Sequence, residues 1–221
     1  MTRRPANPTI VAVLWLAAAL VFFIAEGIAA AAVAPPYHYS YTRDFISQLG
    51  VPGWTGLAAV MNVGFVLQGA LFLAGAVLAV RESTTGHRRS FIVLVTLNAL
   101  GDLLVATNHD AASVGATAPS AGHWLGTILA IPFGNAAIIV GSGVLVGLVR
   151  MRWYRVVSIC LGVLGFLSLL ILGNAIARPH IGFWERGCVY SILVWQILSA
   201  VVLLVRRHAD TRAAVLQRGP N

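Results

Sequence analysis

Six runs of about 20 apolar residues, closed at alternate ends by arginine, leave this chain almost no choice of solvent: each is long enough to cross a hydrocarbon core of about 30 Å at about 1.5 Å per residue. The runs are Ile10 to Ala34, Gly56 to Val80, Ser90 to Thr107, Gly122 to Val149, Val156 to Ala177 and Phe183 to Val205. Of 221 residues 58% are hydrophobic and only 10% charged, with a mean hydropathy of +0.84. That is too little polar surface to coat a water-soluble globule. The expected fold is all-α, a polytopic bundle of six transmembrane helices. Residues 10–206 form its single domain, between a short N-terminal stretch, 1–9, and a basic tail, 207–221.

The net charge of +8 comes from arginine alone, since the chain has no lysine. Arg3 and Arg4, then Arg81, Arg88 and Arg89, then Arg150, Arg152 and Arg155, then Arg206, Arg207, Arg212 and Arg218 all fall on one side of the six spans. Only Arg43, Arg178 and Arg186 fall on the other. This bias predicts a multi-pass protein of the cell membrane with both termini cytoplasmic. No basic stripe is interleaved with aromatics, which points away from nucleic acid as a partner and leaves membrane lipids.

Arg3 and Arg4 before an apolar run ending at Ala32 to Ala34 also resemble a secretory signal. The length of the run, Glu26 inside it and the prolines after it favour a retained first helix. Spans two, four and six end alike, in LAVRE, GLVRMR and LLVRR; three inward-running helices needing the same stop signal account for this without an internal repeat. Gly143 and Gly147 form a GxxxG through which span four is expected to pack closely. Cys160 and Cys188 lie inside apolar runs at different depths, an arrangement suited neither to a disulfide nor to a metal site.

The chemistry-bearing residues gather toward the expected external face. A charge at mid-bilayer costs about 2.5–3.5 kcal/mol on insertion scales, so it persists only with a partner or a role. Asp102 lies about five residues below the external end of span three. Asn98, Asp102 and His109, at i, i+4 and i+11, are expected on one face of that helix. His123 and Thr127 open span four; Glu185, Arg186 and Tyr190 open span six; Glu26, Asn62 and Asn174 lie at similar depth. Asp102, His109, His123, Glu185 and Arg186 are therefore the candidate catalytic or ligand-binding residues.

Three readings fit this ring. It is a structural ion-pair network, with Asp102 on Arg186 and Glu26 or Glu185 on Arg43 or Arg178. It is a pocket for a lipid-like or amphipathic molecule, with a possible role in transport. Or it is an enzyme site, in which His109, His123, Asp102 and Asp110 offer ligands to a divalent metal such as zinc or Ser47 acts as a nucleophile beside a histidine. No HExxH, GxSxG or i, i+4 histidine pair is present to decide, and the residues do not single out a cofactor.

The segments YSYTRDFISQLG (Tyr39 to Gly50), GHWLG (Gly122 to Gly126) and GFWERGCVYSILVW (Gly182 to Trp195), together with Asp102, resemble the bacterial and archaeal membrane family called domain of unknown function 998. The resemblance runs from Val11 to Arg206 and implies a six-helix membrane domain without an established activity. Ser47, Leu49, Gly50, Asp102, His123, Glu185 and Arg186 match the family's recurring positions. Where that pattern has proline, threonine and aspartate after span three, this chain has Asn108, His109 and Asp110. The chain is more loosely similar to the membrane hydrolases grouped with alkaline ceramidases, but it lacks their HxxxH and has six spans rather than seven.

Overall fold

A computed structural model describes residues 8–83, 86–109, 120–149, 151–174 and 179–217. Arg3, Arg4, Asp110, Arg150, Arg178 and Arg218 lie outside the described residues. The helices are α1 (Pro8–Ala31), α2 (Ala58–Glu82), α3 (Arg88–Thr107), α4 (Ala121–Val149), α5 (Arg152–Leu172) and α6 (Ile181–Gln217). All six are long and apolar enough to cross a membrane, and the chain is a multi-pass membrane protein. The shortest, α3, has 20 residues and so extends about 30 Å.

Several ends differ from expectation for local reasons. Helix α5 starts at Arg152 rather than Val156 and stops at Leu172, where Gly173 forms its C-cap. Helix α6 continues past Val205 to Gln217, so most of the expected tail is helical. Its Arg, Ala, Leu and Gln are good helix formers, and no glycine interrupts them before Gly219.

Each helix packs on its neighbours in sequence, and α6 returns to α1, closing a ring; α4 also touches α6 across it. The outer surface carries large aliphatic side chains, with Leu170 72% and Val156 60% exposed. In water such a surface would aggregate, whereas lipid solvates it. The start of α1 and the end of α6 share one end of the bundle, here the terminal end. At the other, the loop end, residues 32–57 fold back over the helices, with a short 3-10 helix, Ile46–Gly50. Its Ile46 and Leu49 are buried.

Lipid offers no hydrophobic drive between helices, so close packing must hold the ring. Toward the terminal end, Trp195 meets Trp15, Phe72 and Phe91 at centroid distances of 5.2, 6.0 and 6.3 Å. The polar edges there are paired: the Trp15 indole donates to the Phe72 carbonyl at 3.1 Å, the Trp195 indole to Ser158 Oγ at 2.9 Å, and Tyr154 bonds Ser199 at 2.7 Å. Helices α3 and α4 approach through Gly101 and Gly126, not through the GxxxG. A Cβ on Gly101 would strike the Ala130 backbone, whereas one on Gly147 would meet nothing within 4 Å.

Overpacking a tight contact costs about 1–3 kcal/mol. Gly101→Val should therefore lower the unfolding midpoint of the purified protein clearly, and Gly147→Val should leave it unchanged. Thermal unfolding followed by tryptophan fluorescence distinguishes the two.

Candidate functional site

The first two turns of α6 organise the loop end. Gly182 lets the preceding loop lie against the helix, because a Cβ there would strike the Asp44 backbone. The Phe183 N–H donates to the Thr42 carbonyl at 3.1 Å. The next turn carries Glu185 and Arg186, both buried, which point to different neighbours.

Arg186 does not pair with Asp102, as expected from sequence, but with Glu26 of α1. Its Nε and Nη2 both donate to Glu26 Oε1, at 3.0 and 2.7 Å. Nη2 also donates to the Tyr39 hydroxyl, and Nη1 donates to the carbonyls of Tyr41, Asp44 and Gly182 at 2.6, 3.1 and 3.0 Å. The Tyr190 hydroxyl closes the other carboxylate oxygen, Glu26 Oε2, at 2.7 Å. The guanidinium lies 4.8 Å from the Tyr41 ring centroid, within cation–π range. Burial pushes the Tyr39 hydroxyl well above its ordinary range, against the pull of Arg186 and with Glu26 and Glu185 adding to the rise. Tyr41 is shifted the same way, again mainly by burial. Both therefore remain neutral hydroxyls. The reason for the changed partner is adjacency: α6 packs on α1, and Glu26 and Arg186 each lie about five residues from the loop end of their helices.

Glu185 turns away from this pair. Its Oε2 accepts the Ile46 N–H at 2.5 Å, capping the short 3-10 helix. It also lines a cavity of about 460 Å³ between α4, α5 and α6, shared with Ser47 and His123. His123 Nδ1 is 3.0 Å from the Asn108 carbonyl. A carbonyl only accepts, so Nδ1 carries the hydrogen, and in the neutral ring Nε2 is an acceptor. Thr127 lies a turn below, its hydroxyl given to the His123 carbonyl at 3.1 Å. The remaining wall is mostly apolar, with Trp124, Ile128, Ile131, Pro132, Leu169 and Leu172. Pro132 has no N–H, so the Ile128 carbonyl lacks its usual helical donor.

The other two candidates lie elsewhere. Helix α3 ends at Thr107, so the helical face expected to carry His109 stops short of it. His109 Nε2 instead sits 3.1 Å from the Asn62 amide nitrogen, which also donates to the Gly50 carbonyl at 2.8 Å. Asp102 and Asn98 do share a face, directed into a small cavity at the centre of the bundle. The five residues thus occupy separate places: Glu185 and His123 share the large cavity, Arg186 and His109 bond other partners, and Asp102 faces the small cavity. Among the described residues no three of His, Cys, Asp or Glu converge on one point. Ser47 and His123 line the same cavity without a hydrogen bond between them.

Glu26 was legible as a buried acid, but its partner was not, because adjacency of the first and last spans is a property of the closed ring. Gln68, mid-way along α2 and also on the small cavity, was missed although an amide inside an apolar run is itself a signal.

Breaking a buried ion pair by removing one partner costs about 3–5 kcal/mol, because the other is stranded. Arg186→Gln and Glu26→Gln should each destabilise the protein by that order, the double change should cost less than their sum, and Asp102→Asn should be additive with Arg186→Gln. A double-mutant cycle on unfolding midpoints tests all three.

A family model described as protein of unknown function, DUF998, matches residues 12–202. No curated protein and no solved structure matches the chain.

Proposed function

The chain belongs to this family, DUF998, and from that premise we propose that it binds a lipid-like, amphipathic molecule in the large cavity between α4, α5 and α6. The observation that carries the reading is the form of that cavity. At about 460 Å³ it falls in the size range of small-molecule sites, mostly apolar with a few polar groups at one place. Trp124 and Ile128 line it while being 56% and 47% exposed, so it opens sideways onto the lipid-facing surface. An apolar chain enters from the bilayer, and its head meets Glu185, His123 and Ser47.

The polar end is rich in acceptors. Glu185 offers carboxylate lone pairs, His123 its Nε2 and Ile128 its carbonyl, while the Arg186 donors are taken by Glu26, Tyr39 and three carbonyls. A head that donates hydrogen bonds, an amine or a hydroxyl, fits such a site better than a carboxylate or phosphate.

Tetradecylamine and tetradecanol should bind the purified protein saturably and raise its unfolding midpoint, and myristate should do so far less. Leu169→Trp, which narrows the cavity, should weaken the effect clearly, and Glu185→Gln should weaken the amine more than the alcohol. Absence of saturable binding by any of the three, or binding untouched by Leu169→Trp, rejects the reading.

The arginine bias supports an orientation with both termini cytoplasmic and the cavity in the outer half of the bilayer. With Cys160 and Cys188 replaced by serine, an impermeant maleimide applied to intact cells should label His38→Cys and not His87→Cys. The reverse pattern inverts the topology.

A further inference from the structure

The small cavity at the bundle centre has a chemistry of its own. Asn98 is the eleventh of the twenty residues of α3, which places it at mid-membrane, and Asp102 lies one turn nearer the loop end. The Asn98 amide is oriented by its Nδ2, which donates to the Ala130 carbonyl at 2.9 Å. That leaves Asn98 Oδ1 without a partner among the described residues, and Asp102 Oδ2 is likewise buried and unpartnered among them. Asn98 is 2% exposed and Asp102 8%. Both line a space of about 20 Å³ together with Gln68, and the rest of its wall is apolar. A space of this size holds one water-sized particle.

Two orphaned acceptor oxygens, one of them a carboxylate inside a membrane-spanning helix, call for a positive or hydrogen-donating occupant. No basic side chain among the described residues lines the cavity, and Arg186, the buried cation of this half, is held by Glu26. From this geometry we propose that Gln68, Asn98 and Asp102 form a binding site for one dehydrated sodium ion. Carboxylate and amide oxygens are hard ligands suited to a hard cation. A single carboxylate is neutralised by one monovalent ion, whereas a divalent ion would leave net charge in the hydrocarbon. The cavity also has no room for the waters that magnesium retains. The small size of the cage and its few oxygens favour sodium over the larger potassium ion. The site is separate from the cavity that receives the amphiphile, and the inference does not rest on that reading.

An ion that binds only the folded chain stabilises it by an amount that grows with the logarithm of its concentration once that exceeds the dissociation constant. At constant ionic strength, replacing choline chloride by sodium chloride should raise the unfolding midpoint of the purified protein, little below the dissociation constant and with the logarithm of sodium concentration above it, and potassium chloride should not. Asp102→Asn should abolish the sodium response, and Asn98→Ala should raise the half-saturating concentration about tenfold or more. Should Asp102→Asn fail to fold, equilibrium binding of radioactive sodium to the wild-type protein decides: one ion per chain, displaced by lithium and not by choline, is expected. A wild-type midpoint identical in sodium and choline, together with no retained sodium, overturns the proposal in favour of a protonated Asp102 beside one water. A sodium response that persists in Asp102→Asn overturns it as well, by locating the ion elsewhere.

Discussion

A guanidinium buried inside a membrane protein imposes conditions on everything around it, because its five N–H groups must find acceptors and its charge must be met. Arg186 meets both conditions from four directions: Glu26 on α1, its own helix at Gly182, the loop at Tyr41 and Asp44, and the hydroxyl of Tyr39. The same contacts close the ring between its first and last helices and fasten the long loop over the bundle end. Tyr190 takes the remaining Glu26 oxygen, so the pair is satisfied on both sides. In this setting the interaction specifies the arrangement of helices more than it adds net stability, since desolvation offsets much of the Coulomb attraction.

The commitment of that cation has a second consequence. Once Arg186 is spent on Glu26, the other buried polar groups of this half are left with a shortage of positive charge. Glu185 relies on a backbone N–H, and Asp102 Oδ2 has no partner among the described residues. The large cavity therefore ends in acceptors and the small one is lined by them. One pairing decision thus bears on the chemical character of two cavities.

The spans were legible because apolar length and arginine placement are one-dimensional signals, and α3 and α4 begin or end within two residues of expectation. Buried polar residues were legible for the same reason: Glu26, Asp102, Glu185 and Arg186 stand out in apolar runs. Their pairing was not. Asp102 and Arg186 lie at similar depth, but depth says nothing about which helices are neighbours, and α6 closes on α1. His109 was misplaced because helical periodicity was carried past Thr107, where the helix has already ended. The large cavity was invisible, since Leu169 and Leu172 read as ordinary lipid-facing residues until α5 is set against α4 and α6.

The two ends of the bundle are packed differently, although orphaned polar atoms occur in both, Gln196 beside Trp195 included. Toward the terminal end, the Trp195 cluster is tightly packed and its indoles and hydroxyls find partners in Phe72, Ser158 and Ser199. That is how a membrane bundle gains stability when lipid supplies no drive for helix association. From the centre toward the loop end the packing loosens into two cavities, and Asn98 and Asp102 keep buried oxygens without partners. Native interiors seldom leave such atoms unsatisfied, and a chain stabilised only for its own sake would replace Asp102 with leucine at no cost to helix length or span. The buried carboxylate of Asp102 thus costs the fold stability unless something occupies the space beside it.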